Sequence, residues 1–129
     1  MTDYTTALAA FRPVHGAAIP EGELRARIAG LQARMVSSGV KAVWLDASTS
    51  LTYYTGLRLG LSERIHGALV PAEGPLVYVS PRFEVPKLQA LMQIDGAIAA
   101  WEEDENPYAL IAARIAAMDA PGAGIALDP

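Results

Sequence analysis

Two residue types that support many catalytic sites are missing or scarce in this sequence. It contains no cysteine and only two histidines, His15 and His66. The absence of cysteine excludes disulfide bonds, thiolate catalysis and cysteine-ligated zinc or iron–sulfur centres. The histidines lie far apart in the chain, without the short spacing that histidine ligands of a metal usually have. Neither histidine therefore belongs to a recognisable metal or catalytic-triad motif.

Positive charge and long apolar runs are also scarce. The chain has 10 lysine and arginine residues against 14 acidic ones, for a formal net charge of −4. Without a basic cluster, this balance gives no electrostatic footprint for nucleic acid or anionic lipid. No apolar run approaches the roughly 18 residues that a bilayer span requires, and the N-terminus lacks a basic signal region. We therefore expect no nucleic-acid partner, no membrane association and a cytoplasmic location.

Active-site motifs built on serine or glycine are not found either. Ser62 follows Gly60, but Arg64 stands where the nucleophile elbow G-x-S-x-G requires its second glycine. No G-x-G-x-x-G or Walker pattern is present to bind phosphate. The acidic run at 102–105 lacks the alternating spacing of a calcium loop and favours negative charge ahead of a helix N-terminus. A hydrolase that uses Ser62 stays as a third hypothesis.

The pattern of apolar residues indicates one α/β domain in 129 residues. Residues 1–20 predict an irregular arm, with one turn around Tyr4–Phe11, that is either a docking segment or a poorly ordered terminus. Residues 21–38 predict a helix that ends at a left-handed Gly39. Its buried face consists of the residues at helical spacing, Leu24, Ile28, Leu31 and Met35.

Strands and helices alternate through the rest of the chain. Strands are predicted in residues 40–46, in a hairpin pair that turns at Glu73-Gly74, at 96–101 and at 125–129, the last as a buried strand. Helices are predicted over 81–93 and from Pro107, with Asn106 as N-cap. The order predicts a three-layer α/β fold with a mixed parallel and antiparallel sheet of about five to six strands covered by helices. Because α/β chains normally continue beyond such a strand, we expect this chain to be the front part of a longer protein.

Five serine and threonine side chains and an adjacent pair of tyrosines are concentrated in the stretch STSLTYYTG, residues 48–56. We interpret it as a short helix capped by Ser48 or Ser50 and ended by Gly56. Leu51 and Tyr54 share one face, which leaves Thr49 and Thr52 to face solvent. Tyr53 is the one residue of the stretch that stays a candidate for function.

The stretch GLRLGLSERIHG, residues 56–67, connects core elements and carries several charged side chains. Arg58, Glu63, Arg64 and His66 lie in it. Arginine there suits a carboxylate ligand or an interface partner, because its planar fork binds bidentately. The alternative is a solvated loop with an internal Glu63–Arg64 charge balance.

Three segments together resemble the N-terminal domain of the creatinase/prolidase family. They are AVWL at 42–45, SLTYYTGL at 50–57 and SERIHGALVPAEGPLVYVSPRFE at 62–84. In the middle segment Tyr53, Thr55 and Gly56 match the family pattern, whereas Ser50, Tyr54 and Leu57 replace its asparagine, leucine and phenylalanine. The other residues that look like family positions are Arg64, Pro71, Gly74 and Glu84.

The resemblance implies a creatinase N-terminal-domain-like, ribonuclease-H-like fold over 21–129, behind an arm at 1–20. Members of the family are Xaa-Pro aminopeptidases and dipeptidases that act on proline-containing peptides. Their catalytic residues lie in a C-terminal pita-bread domain that binds two divalent metal ions (Mn, Co or Zn). The resemblance implies that this catalytic domain is absent from the present chain.

The resemblance therefore implies a non-catalytic domain that contributes to a homodimer and shapes the partner's active-site entrance. Its contact residues would be Tyr53, Arg58, Arg64 and His66, with its own catalytic domain and a second subunit as partners. Creatine hydrolysis on the same architecture stays open. The alternative is a stand-alone small-ligand-binding or oligomerisation module.

Overall fold

The computed structural model describes residues 19–60, 63–120 and 122–127. The predicted turn around Tyr4–Phe11, His15 and Ser62 lie outside the described residues. The elements in chain order are α1 (Glu21–Ser38), β1 (Val40–Asp46), α2 (Thr49–Thr55), β2 (Gly67–Pro71), β3 (Leu76–Pro81), a 3-10 turn (Arg82–Glu84), α3 (Val85–Leu91), β4 (Gly96–Trp101), α4 (Pro107–Ala116) and β5 (Gly124–Leu127). No helix in these described ranges is long and apolar enough to cross a membrane.

The sheet has five strands in the order β4-β3-β2-β1-β5. β2 runs antiparallel to both of its neighbours, whereas β1 and β5, and β3 and β4, are parallel pairs. Four strands therefore point the same way, and only β2 is reversed. The carboxyl ends of β1, β3, β4 and β5 meet the amino end of β2 along one side, which we call the carboxyl edge. The predicted mixed sheet is confirmed.

Helices cover both faces of the sheet, which confirms the predicted three layers. On one face α1, α2 and α3 bury the larger core, with Leu24, Leu51 and Leu88 fully buried against the strands. On the other face α4 packs its Ile111 and Ile115 against two smaller clusters. Burying each such side chain stabilises the fold by about 1.5–3 kcal/mol.

Helix α1 forms as its residue spacing predicts. Leu24, Ile28 and Met35 are buried along one stripe, and Leu31 is half-buried beside them. Gly39 ends the helix at φ 71°, and its N–H donates to the carbonyls of Met35 and Val36. This left-handed turn leads directly into the central part of the sheet, because β1 begins at the next residue.

The helix predicted over 81–93 is shorter and interrupted at its start. Pro86 has no N–H to donate to the carbonyl of Arg82, so an α-helix cannot run through this point with all its hydrogen bonds. Residues Arg82–Glu84 therefore form a 3-10 turn, and α3 proper spans Val85–Leu91.

The prediction that the last strand is buried is wrong. Ile125 and Leu127 are 55% and 71% exposed. β5 is an edge strand that pairs only with β1, with Ile125 opposite Ala42 and Leu127 opposite Trp44. Helix α4 packs with residues of β1, β2, β3 and β4, and the clusters that it forms there include no described residue of β5.

Candidate functional site at the carboxyl edge

The stretch at residues 48–56 folds as α2 and its two caps. Ser48, rather than Ser50, is the N-cap: its Oγ accepts a hydrogen bond from the Leu51 amide at 3.4 Å. Gly56 ends the helix in the left-handed conformation at φ 74°. Because the Ser48 cap lies two residues after the end of β1, the stretch anchors the carboxyl end of that strand.

Two threonines of α2 hold the chain where it leaves the helix. Thr52 Oγ1 donates to the carbonyl of Leu57 at 2.9 Å, and the hydroxyl of Thr55 accepts from the Leu57 amide at 3.1 Å. The expectation that Thr52 faces solvent is therefore wrong, since it is half-buried and bonded to the backbone. Its hydroxyl binds a carbonyl just beyond the C-cap and so fixes the chain that follows the helix.

Tyr53 lies on the surface shared by α2 and α1. Its ring is 50% exposed, meets Tyr54 edge-to-face at 4.9 Å and lies 4.1 Å beneath the Arg27 guanidinium. Arg27 also donates to the Tyr53 carbonyl at 2.8 Å and to Glu23 at 2.9 Å. These contacts hold Tyr53 against α1.

Arg58 is an exposed cation beside the carboxyl end of β1. It contributes to an open hollow of about 450 Å³. The other residues that line the hollow are Ala47, Ser48, Thr49, Thr52 and Leu59. A guanidinium beside hydroxyl groups suits a carboxylate or another small oxyanion.

Arg64 lies at the carboxyl edge and contacts two neighbouring loops. Its Nε donates to Glu103 at 2.7 Å, and its guanidinium lies 5.1 Å from the Phe83 ring centroid. The hydrogen bond with Glu103 raises the pKa of Arg64, and Glu63 adds a weaker effect in the same direction. The direct ion-pair partner is thus Glu103, which follows β4, and not the neighbouring Glu63.

A second ion pair ties the same acidic segment to the end of β3. Arg82 Nε donates to Glu102 at 2.9 Å, and the Glu102 amide donates to the carboxylate of Glu105 at 2.8 Å. The run at 102–105 lies directly ahead of the N-cap of α4, where the sequence predicts negative charge. Two of its glutamates also pair with arginines from two other loops. Asn106 caps α4 as predicted, accepting from the amides of Tyr108 and Ala109.

His66 is in the interior, unlike the arginines beside it. The residue is only 5% exposed, and its Nε2 is buried without a hydrogen-bond partner among the described residues. Burial lowers its pKa; Glu84 opposes that shift and Lys87 adds to it. Gly67, the next residue, admits no side chain, because a Cβ would lie 2.1 Å from the Leu45 carbonyl oxygen.

The structure gathers three of the four predicted contact residues near the carboxyl edge. Arg58 and Arg64 are exposed there, His66 is buried behind them, and Tyr53 contacts α1. Their contact roles stay predictions. Sequence reasoning missed Phe83, which is 58% exposed; its signal was a large aromatic residue directly after a strand.

The described residues do not fit a metal centre. No group of three or more histidine, aspartate and glutamate side chains among them could hold a metal ion. The carboxyl edge instead offers exposed guanidinium groups, an exposed aromatic ring and ion pairs whose two partners are both exposed to solvent. These groups suit recognition of a ligand or partner surface.

Residues 27–129 match the family described as the creatinase/prolidase N-terminal domain. The chain belongs to this family. An uncharacterized peptidase of Staphylococcus aureus is 30% identical over 69 residues, which are 54% of this chain and 19% of the peptidase. The chain therefore spans about one-fifth of that relative's length.

Solved structures support the same fold. A dipeptidase, PepE, from Mycobacterium ulcerans superposes with a TM-score of 0.70 at 22% identity, over 81% of this chain and 29% of that one. The N-terminal domain of an Xaa-Pro dipeptidase from Lactobacillus brevis superposes with a TM-score of 0.68 at 18% identity, and the match covers 78% of this chain and 75% of that one. A prolidase from Thermococcus sibiricus superposes with a TM-score of 0.62 at 26% identity, and the match covers 76% of this chain and 25% of that one. The predicted creatinase N-terminal-domain-like fold is confirmed.

Proposed function

We propose that this chain acts as the non-catalytic N-terminal domain of an Xaa-Pro peptidase. In this role it contributes to a homodimer and shapes the entrance to the partner subunit's active site. The observation that carries the proposal is membership of the creatinase/prolidase N-terminal family. It is combined with a carboxyl edge at which Arg58, Arg64 and Phe83 are exposed. The substrates of the whole enzyme would be proline-containing peptides, and its location the cytoplasm.

The chemistry of the carboxyl edge supports a role in recognition. Arg64 is exposed, and its partner Glu103 is exposed as well. Solvent screens such surface ion pairs, so they contribute little to stability, and Arg64 can exchange Glu103 for the carboxylate of a peptide or of a facing subunit. Phe83 adds an apolar contact beside the charge, as interfaces commonly combine an aromatic residue with arginine.

The proposed whole enzyme would bind two divalent metal ions (Mn, Co or Zn) in a separate C-terminal catalytic domain. The described residues provide no ligand set for them, so we assign no catalytic step to this chain. Its partners in the proposal are that catalytic domain and a second subunit.

The first test is an activity assay of the purified 129-residue chain. An Xaa-Pro dipeptide is supplied with Mn²⁺ or Co²⁺, with and without a chelator. We expect no turnover by the chain alone. Metal-dependent hydrolysis that the chelator abolishes would contradict the non-catalytic role.

The second test uses the full-length product of the gene, in which we propose that a catalytic domain accompanies this one. Arg64→Ala should lower kcat/KM by about tenfold or more, as expected for one lost charge-assisted hydrogen bond. The matched control is Arg114→Ala, since Arg114 lies beside the Glu73-Gly74 turn at the opposite side of the sheet. Equal effects of the two substitutions would refute the role of the carboxyl edge.

The hollow beside Arg58 favours a second candidate, a stand-alone small-ligand-binding or oligomerisation module. A thermal-shift screen of small carboxylates tests it, because a bound ligand raises the apparent stability by mass action. Light scattering of the isolated chain tests oligomerisation. Stabilisation that Arg58→Ala abolishes would favour this candidate, and no stabilisation by any carboxylate would count against it.

A further inference from the structure

His66 combines burial with a position where several elements meet. It directly precedes β2 at the carboxyl edge, is 5% exposed, and has a buried Nε2 with no partner among the described residues. An imidazolium in such a place would carry an unpaired charge out of water, which is strongly unfavourable. The neutral ring is therefore the form that this packing accommodates.

The charged groups around His66 favour an outward movement of the protonated ring. Glu84, at the start of α3, attracts the imidazolium, whereas Lys87 of α3 repels it. In its own segment Glu63 and Arg64 are exposed, and Asp46 of β1 is exposed opposite Gly67. Glu84 is only half-buried, so a ring that moves toward it also gains contact with water.

A hydrogen bond next to His66 would lengthen or break if the ring moved outward. Trp101 Nε1 donates to the carbonyl of Ile65 at 3.0 Å. On the other side, β2 is paired with β1, with Gly67 opposite Asp46, and even an added Cβ at Gly67 would clash with Leu45 and Trp44. Displacement of His66 would thus be taken up by residues 63–66, which include Arg64.

We propose that His66 is an acid-sensitive latch on the 63–66 segment. In its neutral form it packs in the interior and holds this segment on the carboxyl edge. When protonated it leaves its buried position toward Glu84, and the Ile65 carbonyl separates from Trp101. The position of Arg64 at the edge then depends on pH.

The test follows the His66 ring by NMR in a His15→Gln background, where it is the only histidine. The titration midpoint in the folded chain should lie below the midpoint of the same residue unfolded in urea. The Trp101 indole N–H resonance should shift with the same midpoint as the ring. The amide of Gly74, on the opposite side of the sheet, should not follow it.

Two variants separate the latch from simple burial. In His66→Gln the Trp101 indole shift should lose its pH dependence between pH 5 and 7.5. In Trp101→Phe, which keeps an aromatic ring but lacks the donor, the His66 midpoint should rise toward its unfolded value. This second variant keeps the proposal testable if His66→Gln does not fold.

The pH dependence of the free energy of unfolding gives an independent test. Because burial lowers the pKa in the folded state, the unfolded chain binds the proton more readily. Relative to His66→Gln, the wild type should keep its full stability above about pH 6.5 and lose stability as the pH falls below it. A Trp101 resonance that stays constant while His66 titrates would overturn the proposal, as would a folded midpoint equal to the unfolded one.

Discussion

Tyr78→Phe removes one buried hydroxyl and leaves the rest of the side chain in place. Tyr78 is fully buried in β3, and its hydroxyl donates to the carbonyl of Ile94 at 2.6 Å. This bond ties β3 to the turn that begins β4, the two strands that end at Pro81 and Trp101 on the carboxyl edge. The phenyl ring keeps the apolar burial, so the change isolates the hydrogen bond.

The expected cost is about 1–3 kcal/mol of unfolding free energy. The net loss of a hydrogen bond accounts for about 1 kcal/mol, and the Ile94 carbonyl left buried without a partner adds the rest. Urea denaturation measures the difference. The matched control is Tyr108→Phe, which makes the same chemical change at a residue that is 67% exposed and should stay within about 0.5 kcal/mol.

The same residue predicts an alkaline transition with a defined sign. Burial raises the pKa of Tyr78 to about 12, above the value of about 10 for an unperturbed tyrosine. The stability that the neutral hydroxyl contributes is therefore complete below pH 10 and is lost as the pH rises toward 12. Tyr78→Phe should lack this part of the alkaline decline. A cost equal to that of Tyr108→Phe, or an unchanged alkaline decline, would refute the reasoning.

Three further substitutions test other parts of the fold by urea denaturation. Gly67→Ala should destabilise by more than about 2 kcal/mol or abolish folding, because its Cβ would lie 2.1 Å from the Leu45 carbonyl oxygen; a cost below 1 kcal/mol would contradict that clash. Gly30→Ala should stabilise α1 by about 0.5–1 kcal/mol, because an added Cβ there would meet no atom within 4 Å outside the local helix backbone; a loss of stability would contradict the presence of open space at this position. Asn106→Ala should cost about 1 kcal/mol through the lost N-cap of α4, whereas no change would show that the cap bonds contribute nothing.

Much of the fold could be predicted because its signals are local. The spacing of Leu24, Ile28 and Met35, the glycine at 39 and the Asn106-Pro107 pair each act within one or two turns of chain. Capping and helical periodicity depend on neighbours in sequence, so they can be recognised without the fold. The family motif around Tyr53 to Gly56 is equally local.

The candidate site could be predicted only in part because its contacts are long-range. Arg64 pairs with Glu103 and stacks over Phe83, residues brought near it by the neighbouring strands β2, β3 and β4. Nothing within a few residues of Arg64 indicates these partners. The adjacent Glu63 suggested a local charge balance, and that interpretation did not identify the direct ion pair.

The sequence by itself determined most of the helices and strands, the caps at Gly39 and Asn106, and the resemblance to the family, because each rests on residue types at short spacing. The tertiary structure alone decided which side chains are available. It buries His66, whose contact role stays a prediction, and it exposes Leu127, although the sequence predicted burial for the last strand. Burial depends on strand order and on how far each helix reaches across the sheet, and these are properties of the assembled chain.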